Sequence, residues 1–519
     1  MPNLTLRTEF GNAYAQRSAV EARFRECAAM TQPTVLPALG QAAESEILRP
    51  YQNLGTDGVR NLVNKLLIAL FTPGQPWFRH KALPIIWRDD EAGVDAAAAA
   101  EQFLYAYDLL IYQRFYAMKH LAKMRTSIEQ LIVIGNSLSK ITDDYKLKQF
   151  RFDQYVWKRG SDAELLWLIT KECVDPRQLT DEQIVRAGIR SQELDDAAQH
   201  NKTFDIYTKA ARERTGHWLV RQQIKDKPVA WSVEPVNPYL TAGYVEVPGE
   251  NYSRGRVEES LGDLRSFNGL SKAILDMAVA AAMVHPVIDD GKGWDAKDLL
   301  KPNGEIIVGR VEGREANGIA FLHPDMGPDS QVPMLHAETI ARRLNKQFLM
   351  ESALQPQEER VTATQIMRIA RELEGALGNV YAELAEEMQR PLLDRLVYQM
   401  KRDNLLPVFP VQIEKAVTVQ LLTGVEALGR SWDYERALNA LQTIGQMPDL
   451  MARLKPDWIL NTILRGLGID TQAAIKTPEE IAEEQQAAID AQTQAMAAQT
   501  ALQTGGAVVE QAAKAGMAA

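Results

Sequence analysis

The sequence predicts a mainly α-helical protein with an α+β region in its N-terminal half. Long apolar stripes recur every three or four residues, aromatic and β-branched pieces crowd residues 145 to 247, and a charged break separates two helix-like runs near residue 360. With 519 residues, 46% hydrophobic and 24% charged, the chain has the composition of an ordinary globular protein and length for several cores.

The first clear element is GTDGVRNLVNKLLIALF. Val59, Leu62, Val63, Leu66, Leu67 and Leu70 fall at helical spacing and define an amphipathic helix. A second helical region is expected from about Ala97 to Ile141, with one or two breaks and Gly135 as one candidate. Between Tyr145 and Val247, pieces such as FRFDQYVW and HWLVRQQI alternate with Gly and Pro, which predicts short strands. After Gly255 the period lengthens again. Val257, Leu261, Leu264, Leu270, Ile274, Met277, Ala281 and Val284 predict one helix of roughly 40 Å at 1.5 Å per residue, ended by Pro286.

Residues 287–333 form an insert rich in Gly and Pro, with strand-like EIIVGRVEG and GIAFL. A second helix is expected from about Met334 to Leu354, with Ile340, Leu344, Phe348 and Leu354 on one stripe. The two helices and the insert read as a hairpin with a decorated tip. Then comes LQPQEERVTATQI, with a stop at Pro356 and a restart at Thr362. Thr362 and Gln365 form a capping box, and Val361 and Ile366 suit a hydrophobic staple. The next stripe is Ile366, Ile369, Leu373, Leu377, Val380, Leu384 and Met388, which Pro391 kinks or ends. Beyond Pro410, VTVQLLTGVEALGR leads into shorter helices around Trp432 and Trp458. From Glu479 the chain turns Gln- and Ala-rich, a helix stable only against copies of itself or a partly ordered tail.

Several chemistries have no footprint. There is no GxxxxGK[ST] phosphate loop, since GNSLSK at Gly135 and GLSK at Gly269 lack the second glycine, and no HExxH, CxxC or GxSxG. His80, His120, His200, His217, His285, His323 and His336 are scattered and read as ordinary core or surface residues. The acidic pairs Asp89–Asp90, Asp143–Asp144 and Asp289–Asp290 read as solvated turns rather than magnesium ligands. Two cysteines, Cys27 and Cys173, are too few for a disulfide framework. The start, MPNLTLRTEF, lacks a signal-peptide layout, and the longest apolar run is interrupted by Asp276, His285 and Pro286, so neither export nor a membrane span is expected. A net charge of -10 argues against tight nucleic-acid binding, although not against letting DNA pass. The residues alone therefore describe a non-enzymatic, cofactor-free, multi-domain chain.

One block goes further. YSRGRVEESLGDLRSFNGL, Tyr252 to Leu270, resembles the portal, or head-to-tail connector, proteins of short-tailed bacteriophages. Three more blocks match in order: Tyr51 to Phe71, Glu359 to Tyr381, and LTGVEALGR at Leu422 to Arg430. The resemblance implies a portal fold in which about twelve copies close into a ring around a channel at one capsid vertex. It implies a wing at 1–255 and again at 362–430, stem helices at 256–286 and 334–354, a clip at 287–333 and a tunnel loop at 355–361. A crown would follow at 431–480, with a barrel helix or disordered tail at 481–519.

Implied partners are double-stranded DNA in transit, a separate terminase motor, then tail adaptor and tail tube proteins, with major capsid and scaffolding proteins around the ring. The location implied is the virion, with assembly in the host cytoplasm. Gln357, Glu358, Glu359 and Arg360 become candidate channel residues in the tunnel loop, the alternative being a plain interhelix connector. Arg342, Arg343 and Lys346 are candidate channel-lining residues of the second stem helix, the alternative being a solvated or intersubunit face. Two rival readings are a nucleic-acid enzyme and another ring-forming virion protein such as a tail adaptor or scaffold.

Overall fold

The computed structural model describes residues 5–41, 46–47, 49–71, 76–82, 91–282, 285–288, 311–312, 315–316, 319–322, 331–350, 368–369, 372–373, 375–409 and 417–422. The chain divides into a unit of Met1–Ala427 and one of Leu428–Ala519, and all of the second lies outside the described residues, including the expected helices around Trp432 and Trp458 and the Gln- and Ala-rich tail.

Helices α1 (Leu6–Gln16) and α2 (Ser18–Met30) precede α3 (Leu54–Leu70), the amphipathic helix the sequence predicts. On α3, Val59, Leu62, Val63, Leu66 and Leu70 are all buried, and the helix packs on α5 (His120–Ile134) and on α10 (Gln331–Gln347). Strand β1 (Phe78–Ala82) and α4 (Glu91–Ala117) lie between α3 and α5 in the chain.

The region expected to be helical from Ala97 to Ile141 is broken twice. Lys119, at φ 54°, separates α4 from α5, and Gly135, at φ 76°, ends α5 in the left-handed region. Past Gly135 the chain runs on as strand β2 (Asn136–Ile141), not helix. Its residues are buried on both faces, and it is the middle strand of a three-stranded antiparallel sheet, between β3 (Leu147–Phe150) and β9 (Tyr239–Gly243).

The strands expected between Tyr145 and Val247 are present. Strands β4 (Tyr155–Arg159), β5 (Leu165–Val174), β6 (Phe204–Arg212), β7 (Trp218–Ile224) and β8 (Lys227–Glu234) form a five-stranded antiparallel sheet in sequence order. Helix α1 covers part of one face, where Leu6 and Phe10 meet Val156, Ile169 and Tyr207. Helices α6 (Asp181–Ala187) and α7 (Ser191–Gln199) close one end over Phe204, Ile206 and Ile224. Tyr145, Phe150, Phe152, Tyr155, Trp157 and Trp218 are buried in the core, whereas Trp231 on the edge strand is exposed.

The single helix expected after Gly255 is two. A one-turn α8 (Arg256–Glu259) stops at Ser260, and α9 (Leu261–Ala282) continues for 22 residues, about 33 Å. Pro286 lies in strand β10 (His285–Ile288), which pairs with β13 (Ile319–Leu322). A further short ladder joins β11 (Val311–Glu312) to β12 (Glu315–Ala316). The second long helix, α10, starts three residues before the expected Met334 and ends at Gln347, well short of Leu354, which lies outside the described residues.

The capping box at Thr362 is likewise outside them. Ile369, Leu373 and Leu377 are buried as their stripe predicts. Gly378, at φ 53°, then interrupts the run, and α11 (Asn379–Arg402) passes straight through Pro391. The proline does not end the helix because Leu392, Leu393, Leu396 and Met400 beyond it are buried and keep the face packed. After α11 comes strand β14 (Val417–Leu421), which the sequence did not lead us to expect; it pairs with β1.

Two glycines set where the helical hairpin leaves this body. A Cβ on Gly135 would lie 2.4 Å from the Arg254 carbonyl carbon, and one on Gly255 would lie 2.7 Å from the Gly135 nitrogen and 2.9 Å from the Ile132 oxygen. These contacts are backbone on backbone, which no rotamer change relieves. Gly255→Ala should therefore destabilise the unassembled chain by about 1–3 kcal/mol. Gly269→Ala, in exposed mid-helix with nothing within 4 Å, should stabilise it by about 0.5–1 kcal/mol. Denaturant unfolding of both variants checks the opposite signs.

Candidate functional site

The candidate site is the hairpin of α9 and α10 together with its root, because the YSRGRVEESLGDLRSFNGL block occupies the root almost residue by residue. Tyr252 is buried and stacks on Trp157, ring centroids 5.6 Å apart at 19°, with the Arg17 guanidinium over its other neighbour Phe152 at 4.0 Å. Ser253 and Asn136 bond in both directions: Asn136 Nδ2 donates to the Ser253 carbonyl (2.8 Å) and Ser253 N–H donates to Asn136 Oδ1 (2.9 Å). Arg254 pairs with Glu250 (2.6 Å) and Glu258 (3.2 Å). Leu264 is fully buried, within reach of the α3 backbone at Gly55.

Charged residues of the block tie the hairpin to its surroundings. Arg265 pairs with Glu26 of α2 and Arg23 of α2 with Glu258 (3.1 Å), while Arg256 and Glu259 pair within α8 (2.6 Å). Asp263 on α9 pairs with Arg343 on α10 at 2.8 Å, a rung between the two helices. Cys27, buried under this junction, has its thiol pushed up to about 12 by burial and by Glu258 and Glu26 nearby, so it is unreactive.

The far end of α10 is held by α3. Leu349 has φ 54°, and Met350 N–H reaches back to the Asn345 carbonyl at 2.8 Å, a Schellman-type stop. Asn61 Nδ2 donates to the carbonyls of Phe348 (3.1 Å) and Leu349 (2.9 Å), and Lys65 Nζ donates to the latter at 2.7 Å. A cation at this end also suits the helix dipole. Gly58 lets the Phe348 ring lie against the helix, since a Cβ there would fall 2.6 Å from it. This explains why α10 ends before the predicted position.

Of the sequence candidates, Arg342 pairs within its own helix with Glu338 (2.6 Å), Arg343 is engaged by Asp263, and Lys346 is exposed. The three do not converge on one feature. Gln357, Glu358, Glu359 and Arg360 lie outside the described residues. Asp263, Asn61 and Lys65 are the residues that sequence reasoning missed. The one signal was a lysine inside an otherwise apolar stretch, NKLLIAL.

The outer half of the hairpin differs from its root. Leu275, Val279, Val332, Met334 and Leu335 are each about half exposed or more. Elsewhere two histidines behave as structural groups: His80 is buried and bonded to Asp108 at 2.5 Å, and His120 is buried on the Tyr145 carbonyl, where loss of hydration holds its pKa down. Asp143 pairs with Arg402 at 3.0 Å; Asp89, Asp90, Asp289 and Asp290 are outside the described residues. Among the described residues no group of three His, Cys, Asp or Glu could hold a metal, and no helix is long and apolar enough to cross a membrane.

Comparison with known proteins shows which family builds a buttressed helical hairpin on an α+β body of this kind. Residues 4–475 match the family of bacteriophage head to tail connecting proteins, and the chain belongs to that family. It is 30% identical over 516 residues to the portal protein of Enterobacteria phage T3, covering 96% of this chain and 90% of that one. It is 29% identical to the portal protein of Escherichia phage T7 (89% and 87% covered) and 26% identical to that of Pseudomonas phage phiKMV (94% and 95%). Among solved structures, a chain from the neck of an empty gene transfer agent particle aligns with TM-score 0.35 at 14% identity, over 81% of this chain and 90% of that one.

The Asp263–Arg343 rung is open to water, with side chains 32% and 60% exposed. A double-mutant cycle with Asp263→Ala and Arg343→Ala should give a coupling of about 0.2–1 kcal/mol in low salt, weakening as screening rises.

Proposed function

We propose that this chain is a portal protein, a ring of about twelve copies at one capsid vertex. Its axial channel passes double-stranded DNA during packaging and ejection, and its projecting end docks a terminase motor and later the tail proteins. The observation that carries this reading, beside family membership, is the outer half of the hairpin. Exposed Leu275, Val279, Val332, Met334 and Leu335 are a liability on a free chain and an asset between neighbours in a closed ring, where each copy covers the next.

In this reading α9 and α10 belong to the stem (256–286 and 334–354), the strand ladders between them to the clip (287–333), and the α+β body to the wing (1–255 and 362–430). Residues 355–361 are the tunnel loop, 431–480 the crown and 481–519 the tail. Net charge of -10 per copy suits a channel that must not grip its cargo, because each phosphate contact adds counterion-release affinity and slows sliding. Arg342 and Arg343 have carboxylate partners in their own chain, which leaves exposed Lys346 as the best placed of these three for transient phosphate contact. In the tunnel loop, which also carries Gln357, the acids Glu358 and Glu359 would discourage adhesion, and Arg360 would touch phosphate or a neighbouring carboxylate.

Electron microscopy of the purified protein should show rings of about twelve subunits with an axial hole wide enough for a duplex; compact monomers under every assembly condition would refute the ring. Deleting Pro356 to Arg360 should leave rings intact while impairing packaging or retention of DNA, and normal packaging by that variant would remove the tunnel-loop assignment.

A further inference from the structure

Lys65 sits on the buried face of α3 with its side chain wholly withdrawn from water. An ammonium in that position needs acceptors for its three donors. It has them in the Leu349 carbonyl at 2.7 Å and the two Glu372 carboxylate oxygens at 3.0 Å each. Leu349 is where α10 stops, and Glu372 lies in the helical run that leads to α11. One nitrogen therefore bridges both ends of the chain segment between residues 349 and 372.

The rest of α3 is arranged to the same effect. One turn before Lys65, Asn61 holds the last carbonyls of α10, and one turn before that Gly58 admits Phe348. At the other end of α3, the carbonyls of Ala69 and Leu70 accept from Tyr381 (3.1 Å) and Gln389 of α11. So α3 is bonded to α10 through its first half and to α11 through its last turn, with Lys65 between them. Apolar residues of similar volume would often hold such a place as stably as a buried ion pair; what the pair adds is direction.

We propose that Lys65 is a positioning residue that sets the separation between the end of α10 and the helical residues around Glu372. Through it, displacement of α10 is transmitted to Glu372. The consequence for DNA passage rests on the tunnel-loop reading, since residues 355–361 lie between the two anchored ends.

The test is a distance measurement within one chain of the assembled protein. Spin labels go at Thr339→Cys and Ala376→Cys, both exposed positions, in a Cys173→Ser background. Buried Cys27 stays native, and labelled chains are diluted in unlabelled ones. The native chain should give one narrow distribution. Lys65→Met/Glu372→Leu, which replaces the buried pair by apolar side chains, should fold and assemble but broaden the distribution roughly twofold. Glu372→Gln, which keeps side-chain volume, is the second variant; hydrogen exchange at Phe348, Leu349 and Met350 should quicken about tenfold. An unchanged distance distribution and unchanged exchange in these variants overturn the proposal. A broadened distribution with normal DNA packaging and retention upholds the positioning role and overturns the tunnel-loop reading instead.

Discussion

Everything in the described body hangs on the seam where Gly135 and Asn136 meet Ser253 to Gly255. At that point a helix ends, a strand begins and the hairpin is launched, all within one backbone-to-backbone contact. Two glycines permit the approach, and the reciprocal amide bonds of Asn136 with Ser253 fix its register. The Tyr244 N–H completes it by donating to the Gly135 carbonyl at 2.9 Å. A side chain at either glycine would push the hairpin off the sheet that carries it, so the direction of the projection is set by the absence of atoms rather than by an attraction.

The rest of the root adds direction to that close contact. Exposed ion pairs such as Arg265–Glu26 and Arg343–Asp263 are individually weak in water. Their value is that they come from different elements and restrain different rotations of the hairpin. Burial does the holding, through Leu264, Leu344 and Phe348, and the ion pairs choose among the packings that burial would accept. Farther along the hairpin Leu275, Val279, Val332, Met334 and Leu335 face outward from the isolated chain.

How much of this was legible depends on the range of each interaction. Helices α3, α9 and α10 announce themselves because their stripes are local, and the strands of the five-stranded sheet do so because aromatic and β-branched pieces mark them, whereas α6 and α7, which separate β5 from β6, do not. The break at Ser260, the early stop of α10 and the persistence of α11 through Pro391 depend on contacts from elsewhere in the chain. Asn61 and Lys65 terminate α10 from nearly 290 positions away, and no local propensity encodes that. Residues 136–141 read as helix because the residues before them do; Gly135, the hairpin partner β3 and the distant strand β9 make them a strand. Of the candidate site residues, Arg342, Arg343 and Lys346 were visible as a basic cluster, yet their partners, Glu338 and Asp263, decide what each is left to do.

The pairing of β1 with β14 has a consequence in time. Phe78 lies opposite Leu421, so during synthesis the first of these strands emerges long before its partner exists. At roughly 5–20 residues per second, translation of the intervening chain takes on the order of half a minute. Throughout that interval β1, with Phe78 buried only in the finished fold, is an unpaired edge open to any other strand. Many copies made on neighbouring ribosomes would share the same vulnerable window, so faithful production of this chain depends on how its nascent N-terminal half is shielded as much as on the stability of the completed molecule.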